Sequence, residues 1–436
     1  MNKPNKIDGL VALSPIVVLL LVYLSLSLMS GDFYRISISV AFVVAAVYAV
    51  AVLRNISRSL QERIAIFSDG ASDKNIMYMI WIFILAGIFA ATAKSMGAID
   101  ATVQFTMRFV PIEFLPAGIF VAACFVSLSI GTSVGTIVAL TPVVTGLAAQ
   151  MGTDTAQMVA IVVGGAFFGD NLSFISDTTI AATMTQGCNM KDKFRTNLLI
   201  VLPAALLSLG LYLFIGLSGG VDGVDAASAA EWYKTIPYLL VLICAIGGMN
   251  VLVVLVLGIV ATLIIGLGCG SLSGVLFCEE SGRGVLSMGE LIIITLLAGG
   301  LMNMVKQSGG FEFITRAITN RISGKRGAEA AIAGLTVLTD ICTANNTIAI
   351  ITVGPIARDL SERYGVSPRK SASLMDTASC FAQGALPYGA QVLMASGLAG
   401  VSPLEIIPHL YYPMAIGVMV ILSIIFQFPR ISKTHK

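Results

Sequence analysis

Two carboxylates and a run of hydroxyl side chains interrupt one apolar segment of the sequence. The segment, Gly169–Thr183, reads GDNLSFISDTTIAAT and carries its acids at Asp170 and Asp177. The acids are seven positions apart, a spacing that would put both on one face of a continuous helix. A charged group in a bilayer core costs about 3 kcal/mol or more, so acids inside a membrane segment predict a functional site.

The chemistry that these residues predict is the binding of a hard cation such as Na⁺. Neutral oxygen atoms accompany the acids, on Asn171, Ser173, Ser176, Thr178 and Thr179. Burial raises the pKa of a carboxylate and a bound cation lowers it, so a proton and Na⁺ compete for the same group. We expect Asp177 to be the shared carboxylate and Na⁺ ligand, with Asp170 second. In the alternative interpretation, one acid caps a broken helix and the other faces a cytoplasmic vestibule.

The composition predicts an all-α polytopic membrane protein. The sequence is 56% hydrophobic and 11% charged, whereas soluble domains contain about 25% charged residues. Its mean hydropathy is +0.91. Apolar runs of about 20 residues, long enough to cross a membrane, recur from Leu10 to Gln427. Leu10–Met29 is too long for a signal-peptide core and lacks a cleavage pattern, so we interpret it as the first span.

Other classes of function find little support. The seven cysteines have no paired spacing, so we expect no disulfide or metal framework and no cofactor. Neither a histidine-rich metal site nor a positioned nucleophile–base pair is evident, which argues against an enzyme. A channel remains an alternative, although it would not need the internal repeat described next. We expect no nucleic-acid partner.

The sequence repeats internally. LAGIFAATAKSMGA, from Leu85, aligns with LAGGLMNMVKQSGG, from Leu297, so that Lys94 falls on Lys306. At almost the same offset, GTSVGTIVALTP aligns with TANNTIAIITVGP. We therefore divide the chain into two repeats, residues 1–217 and 235–436. The acidic linker between them, residues 218–234, is expected to be periplasmic or extracellular.

Basic residues predict how the repeats lie in the membrane, because Lys and Arg concentrate on the cytoplasmic side. Basic residues at the two ends of the chain place both termini in the cytoplasm: Lys3, Lys6, Arg430, Lys433 and Lys436. With the basic loops counted, the first half starts inside and the second half outside. Such an inverted repeat is typical of secondary transporters, whose sites lie near the midplane at discontinuous helices.

Both halves are interrupted at matching places. SIGTSVGT, Ser129–Thr136, corresponds to CTANNT, Cys342–Thr347, at the tip of a predicted re-entrant hairpin. Close helix packing could explain one such cluster, but a shared break favours a site. The candidate substrate-binding residues of these hairpins are Thr132, Ser133, Thr136, Thr343, Asn345, Asn346 and Thr347.

The second half does not copy the acids of the first. Asp170 falls on Gln383 and Thr178 on Gln391, within the interrupted segment GALPYGAQ. The predicted site is therefore asymmetric, with charge in one half and the amides of Gln383 and Gln391 in the other. Asp340, just before the CTANNT tip, is a further candidate for binding a cation or proton. Asp376 is a candidate partner for Arg369 or Lys370.

At these motifs the chain resembles the NhaC-type sodium/proton antiporters of the ion transporter superfamily. SIGTSVGT, GDNLSFISDTT and TANNT carry the likeness. The resemblance implies a scaffold and a moving transport part, an elevator-like motion, a homodimer, and functional acids at Asp170 and Asp177. Two residues depart from the expected pattern: Val134 replaces an aromatic residue and Phe174 replaces a proline.

The sequence thus predicts a secondary antiporter of the bacterial inner membrane that exchanges Na⁺ for H⁺ across the lipid bilayer. The alternative is an H⁺- or Na⁺-coupled transporter or exchanger of a small carboxylate or amino acid. Half-helix ends could hold an organic carboxylate as readily as a cation.

Overall fold

Every regular element in the described part of the chain is helical. A computed structural model describes residues 6–30, 37–109, 111–174, 176–218, 231–247, 249–319 and 322–429. The first half contains α1 (Lys6–Ser30), α2 (Ile38–Val52), α3 (Leu60–Ala71), α4 (Lys74–Met96), α5 (Ala98–Phe109), α6 (Leu115–Ile130), α7 (Ser133–Met151), α8 (Thr155–Leu172), α9 (Asp177–Gln186) and α10 (Met190–Ser218). The second half contains α11 (Ile236–Ile246), α12 (Val251–Gly268), α13 (Gly274–Ser287), α14 (Gly289–Gln307), α15 (Gly310–Thr319), α16 (Gly324–Thr343), α17 (Asn346–Tyr364), α18 (Pro368–Ala385), α19 (Ala390–Ala399), α20 (Pro403–Ile406) and α21 (Tyr411–Ile425).

The apolar helices are long enough to form a multi-pass membrane protein. Within the described residues, seven helical stretches have the length and composition needed to cross a membrane. An eighth is obtained if Pro368–Ala399 and Pro403–His409, which meet at 106°, count as one bent span. The predicted all-helical polytopic architecture is confirmed. Most of the predicted linker, residues 219–230, lies outside the described residues, as do Lys3 and the basic residues of the C-terminal tail.

The two halves have matching helices around their breaks. The hairpin helices α7 and α17 each have 19 residues. The helices that follow them, α8 and α18, each have 18 residues. After a short break come α9 and α19, each with 10 residues. The predicted interruptions in both halves are therefore real breaks between helices.

The last span begins later than the sequence analysis predicted. The last apolar run, Ile406–Phe428, predicts one continuous span, but α21 covers only Tyr411–Ile425. A short 3₁₀ turn, Ile407–His409, precedes it and contains Pro408. Proline lacks the N–H that a continuous helix interior would need, so the chain turns before the span starts.

Hairpins and broken helices pack into one bundle. The α6–α7 hairpin packs on α8, and the α16–α17 hairpin packs on α18. The short helices cross over between halves, because α9 packs on α17 and α19 packs on α7. Helices α2–α4 and α12–α14 pack on one another as a second group. The packing of α9 on α17 and of α19 on α7 brings four helix breaks together inside the bundle, those that follow α6, α8, α16 and α18.

Candidate functional site

The two hairpin tips turn through the same backbone conformation. Gly131 ends α6 with a φ of +73°, in the left-handed region that glycine adopts without strain. Ala344 ends α16 with a φ of +49°, which is uncommon for a residue with a Cβ. Asn345 then caps α17, since its Oδ1 accepts the N–H of Ile348 at 3.0 Å. The N-termini of α7 and α17 therefore lie at the two tips and face the space beyond them.

A cavity of about 410 Å³ lies between the tips and the broken helices. Ten of the predicted residues line it: Thr132, Ser133, Asp170, Ser176, Asp177, Thr178, Asn345, Asn346, Thr347 and Gln391. Tyr78 of α4 and Asn250, just before α12, also contribute to its lining. Residues from both halves, far apart in sequence, thus meet around one polar space.

Asp170 is the buried carboxylate of this cavity, with only 5% of its surface exposed. Its Oδ1 accepts the backbone N–H of Ser133 at 3.0 Å. Ser133 is the first residue of α7, so the partial positive charge of that helix end stabilises the anionic form of Asp170. The Ser133 hydroxyl in turn accepts a hydrogen bond from Gln391 Nε2 at 3.1 Å. One short chain of hydrogen bonds therefore links Asp170 to the second half.

Asp177 lies in a different environment. It is the first residue of α9, and its side chain is exposed in the part of the cavity that it lines. The break after Leu172 separates it from Asp170, so the shared face expected of a continuous helix does not form. Its position at a helix N-terminus favours a negative charge there. The two acids thus occupy the same cavity at different depths.

The remaining predicted residues of these segments make structural hydrogen bonds away from the cavity lining: Asn171, Ser173, Thr179, Thr136 and Thr343. Asn171 Nδ2 donates to the Phe167 carbonyl at 2.9 Å. The Ser173 hydroxyl donates to the Leu128 carbonyl at 3.1 Å, which ties the break of the broken helix to the end of α6. These residues hold the break in shape.

Asp340 and Gln383 form a separate buried pair. Both side chains have 0% of their surface exposed, and neither belongs to the lining of the 410 Å³ cavity. Gln383 Nε2 donates to Asp340 Oδ1 at 2.7 Å. The amide predicted to replace Asp170 in the second half therefore contacts an acid of α16.

A buried ion pair that the sequence analysis did not predict lies behind the break of the first half. Lys193 Nζ is 2.6 Å from Asp376 Oδ2, and both side chains are 1% exposed. The predicted pairing of Asp376 with Arg369 or Lys370 is wrong: Lys370 instead donates to the hydroxyl of Ser423. Asp376 lies near the middle of α18, within reach of α10, whereas Lys370 belongs to the first turn of α18.

The family of the chain follows from a match along nearly its whole length. A family model described as the Na⁺/H⁺ antiporter family matches residues 4–217 and 226–428. The chain belongs to this family. It is therefore a secondary transporter and not an enzyme.

Relatives of this antiporter-family chain carry cations or organic solutes. It is 22% identical to the Na⁺/H⁺ antiporter NhaC of Alkalihalophilus pseudofirmus over 76% of this chain and 78% of the relative. It is 25% identical to the arginine/ornithine antiporter ArcD of Halobacterium salinarum over 81% of this chain and 80% of the relative. It is 20% identical to the malate-2H⁺/Na⁺-lactate antiporter of Bacillus subtilis over 96% of both chains.

One signal in the antiporter sequence could have indicated that Lys193 is buried. Lys191, Lys193 and Arg195 form one basic cluster, and the prediction of membrane orientation treats it as a cytoplasmic loop. In the structure Lys193 and Asn197 both donate to the carbonyl of Asn171, at 2.9 and 2.8 Å. They are four positions apart, the spacing of neighbours on one helix face. That spacing marks a polar face directed into the protein.

Proposed function

We propose that this protein exchanges Na⁺ for H⁺ and that Asp170 is the carboxylate shared by the two ions. The observation that carries the proposal is the position of Asp170, buried in the cavity where both hairpin tips and the first broken helix meet. Asp177, which the sequence analysis ranked first, is exposed at the start of α9. We assign it the role of attracting cations into the cavity through its negative charge.

Exchange follows from the competition of two cations for one anion. When Asp170 is ionised, its carboxylate can bind Na⁺ together with neutral oxygens of the cavity, such as the Ser176 and Thr178 hydroxyls. When Asp170 is protonated, the anionic ligand is lost and Na⁺ leaves. Because either ion neutralises the group, the loaded site carries less net charge than the empty one, and moving the empty site costs more energy.

We further propose that alternating access uses the inverted repeats, residues 1–217 and 235–436, joined by an external linker, residues 218–234. The hairpins and broken helices form the moving part, which slides like an elevator against the scaffold in a homodimer of the bacterial inner membrane. With both termini in the cytoplasm, α4 begins on the cytoplasmic side, so the cavity beside Tyr78 opens inward. The crossed packing of α9 on α17 and α19 on α7 supports one moving unit.

Exchange of a small carboxylate or amino acid is the second candidate function. The cavity of about 410 Å³ exceeds the needs of a dehydrated ion and lies within the range of about 300–1,000 Å³ that small-molecule sites occupy. The arginine/ornithine and malate/lactate relatives also favour it. In this function the N-termini of α7 and α17 would hold the carboxylate of the solute.

Transport by reconstituted protein tests the assignment of Asp170. In proteoliposomes with a pH-sensitive dye inside, an imposed Na⁺ gradient should move protons. Asp170→Asn should abolish this movement, because an amide cannot exchange a proton for a cation. Asp177→Asn should change the apparent affinity for Na⁺ by about two- to fivefold, the effect of one charge at a helix N-terminus.

An exposed acid outside the cavity provides the control. Asp69→Asn, which replaces an exposed acid of α3, should leave exchange unchanged. Loss of exchange in Asp177→Asn together with normal exchange in Asp170→Asn would reverse the two roles. If wild-type protein moves no protons but exchanges labelled arginine, malate or lactate across the membrane, the second candidate function replaces the first.

A further inference from the structure

Asp340 is a fully buried acid whose hydrogen-bond partner is an amide, and no cation of the described residues lies beside it. Its carboxylate accepts one hydrogen bond, from Gln383 Nε2 at 2.7 Å. None of the lysines, arginines or histidines in the described parts of the chain comes within 4.0 Å of it to form an ion pair. An isolated ionised carboxylate is among the costliest groups to bury, so a proton or a cation must neutralise it.

The two atoms of the pair that lack a partner are complementary. Asp340 Oδ2 and Gln383 Oε1 are both buried and make no hydrogen bond with any described group. A primary amide and a carboxylic acid can form two hydrogen bonds side by side. The first, from Nε2 to Oδ1, is present. The second forms if Oδ2 carries a proton and donates it to Oε1.

We infer that Asp340 is a second proton-binding group of the transport cycle, with the proton on Oδ2 held by Gln383, so that two protons are exchanged for each Na⁺. In the proton-loaded state the Asp340–Gln383 pair is neutral and fully hydrogen-bonded. In the other half of the cycle the O–H bond of Asp340 breaks, the proton passes to water of the cavity, and Na⁺ bound in the cavity offsets the negative charge left on the carboxylate. The inference rests on the Na⁺/H⁺ exchange proposed above and adds a second group to it.

The pair lies one residue layer behind the cavity lining. A Cβ placed on Gly389 would come within 2.7 Å of Gln383 Oε1, so this oxygen packs directly on the Gly389 backbone. The next two residues, Ala390 and Gln391, line the cavity. Gln391 also donates to Ser133, whose N–H binds Asp170. The backbone of Gly389 and Ala390 therefore connects the Asp340–Gln383 pair to the hydrogen bonds that join Gln391, Ser133 and Asp170.

The titratable groups around Asp340 are weak acids. Those that interact with it electrostatically are Cys342 on its own helix, Cys380 on α18, and Tyr388 in the break before α19. The Tyr388 hydroxyl donates to the carbonyl of Ile341, not to the acid. Helices α14, α15, α17 and α21 also pack on α16, and none of their described titratable groups forms an ion pair with Asp340. The charge of Asp340 therefore changes when its carboxyl group exchanges a proton with the cavity.

The ratio of protons to Na⁺ tests the inference through Asp340→Asn. The asparagine amide can donate to Gln383 Oε1 and keep both hydrogen bonds, so the variant should fold and mimic a permanently protonated acid. In proteoliposomes held at zero membrane potential, wild-type flux should vanish when the Na⁺ gradient equals the square of the proton gradient. In Asp340→Asn it should vanish when the two gradients are equal. A balance point that the substitution does not move overturns the inference.

Infrared difference spectroscopy gives a readout that does not depend on turnover, for the case in which the variant does not transport. Wild-type protein in lipid nanodiscs should show a protonated-carboxyl C=O band that is missing from Asp340→Asn and present in Asp177→Asn. The band should disappear as the pH is raised. The inference is overturned if the band is absent, or if it persists at every pH at which the protein stays folded. Failure of Na⁺/H⁺ exchange in wild type would instead contradict the proposed function, so the two failures are distinct.

Discussion

The buried ion pair of Lys193 and Asp376 stabilises the break between α8 and α9. The ammonium donates to Asp376, to the Thr179 hydroxyl at 2.7 Å and to the Asn171 carbonyl at 2.9 Å. Asn171 belongs to the last turn of α8, whose carbonyls have no partner within the helix. A cation at this end also complements the helix dipole. The pair therefore caps α8 behind Asp170 while connecting α10 to α18.

Removing one partner of this pair should cost more stability than removing both. Lys193→Met leaves Asp376 buried without its cation, and we expect a loss of about 3–5 kcal/mol. Lys193→Met combined with Asp376→Leu should recover most of that loss, because apolar residues of similar size often replace a buried ion pair without penalty. Denaturant unfolding of the purified protein measures both variants.

An exposed ion pair provides the matched control. Arg363 and Asp359 lie 3.3 Å apart with side chains 64% and 65% exposed. Arg363→Met should therefore change stability by less than about 1 kcal/mol. A double variant of Lys193 and Asp376 that is less stable than Lys193→Met alone would contradict the account of the pair.

Residue types predicted which side chains meet, but not how deeply each is buried. The GD and SDTT motifs indicated the acids, and both line the cavity. Helical periodicity could not rank them, because it assumes a continuous helix, and the break between Leu172 and Asp177 ends that regularity. The burial of Lys193 could not be predicted for a related reason. Charge counting assigns a basic cluster to a loop, whereas the burial of Lys193 depends on partners from α18 and α9.

At the scale of helices, breaks were easier to predict than packing partners. Glycine, proline and short polar residues mark each interruption, and the helices stop there. The crossing of α9 onto α17 and of α19 onto α7 could not be predicted, because it depends on contacts between the two halves. One local pattern does report packing: Gly165 and Gly169 are spaced four apart on α8, as in closely packed membrane helices.

Gly169 should not tolerate a side chain. A Cβ at this position would lie 2.0 Å from Ser127 Oγ and 2.5 Å from the Ser127 backbone carbon, so Gly169→Ala would push α6 away from α8. We expect a loss of about 1–3 kcal/mol from overpacking, with lower transport because Asp170 is the next residue.

Gly210 provides the comparison for this prediction. It lies on α10, where an added Cβ meets no atom within 4 Å. Gly210→Ala should be neutral or stabilising by up to about 1 kcal/mol, since alanine is the better helix former. Thermal unfolding in detergent and the proteoliposome assay measure both variants. Equal behaviour of the two variants would show that α6 and α8 are not tightly packed at Gly169.

At the scale of the whole molecule, the matching helix lengths of the two halves allow a test of how each half is oriented in the membrane. Helices α7 and α17 have the same length and follow equivalent hairpin tips. If the halves are inverted, corresponding ends of these helices face opposite sides of the membrane. Duplication in the same direction would place them on one side. Sequence similarity between the halves is compatible with either arrangement, so only the basic loops favour inversion.

Gln150 and Arg363 form a matched pair for this test, because they occupy equivalent exposed positions near the ends of α7 and α17. In protein whose exposed Cys278 is replaced by serine, Gln150→Cys should react in intact cells with a thiol reagent that cannot cross the membrane. Arg363→Cys should react only after the membrane is opened. Reaction of both cysteines from the outside, or of neither, would contradict inversion, and with it the proposal that the cavity beside Asp170 alternates between the two faces.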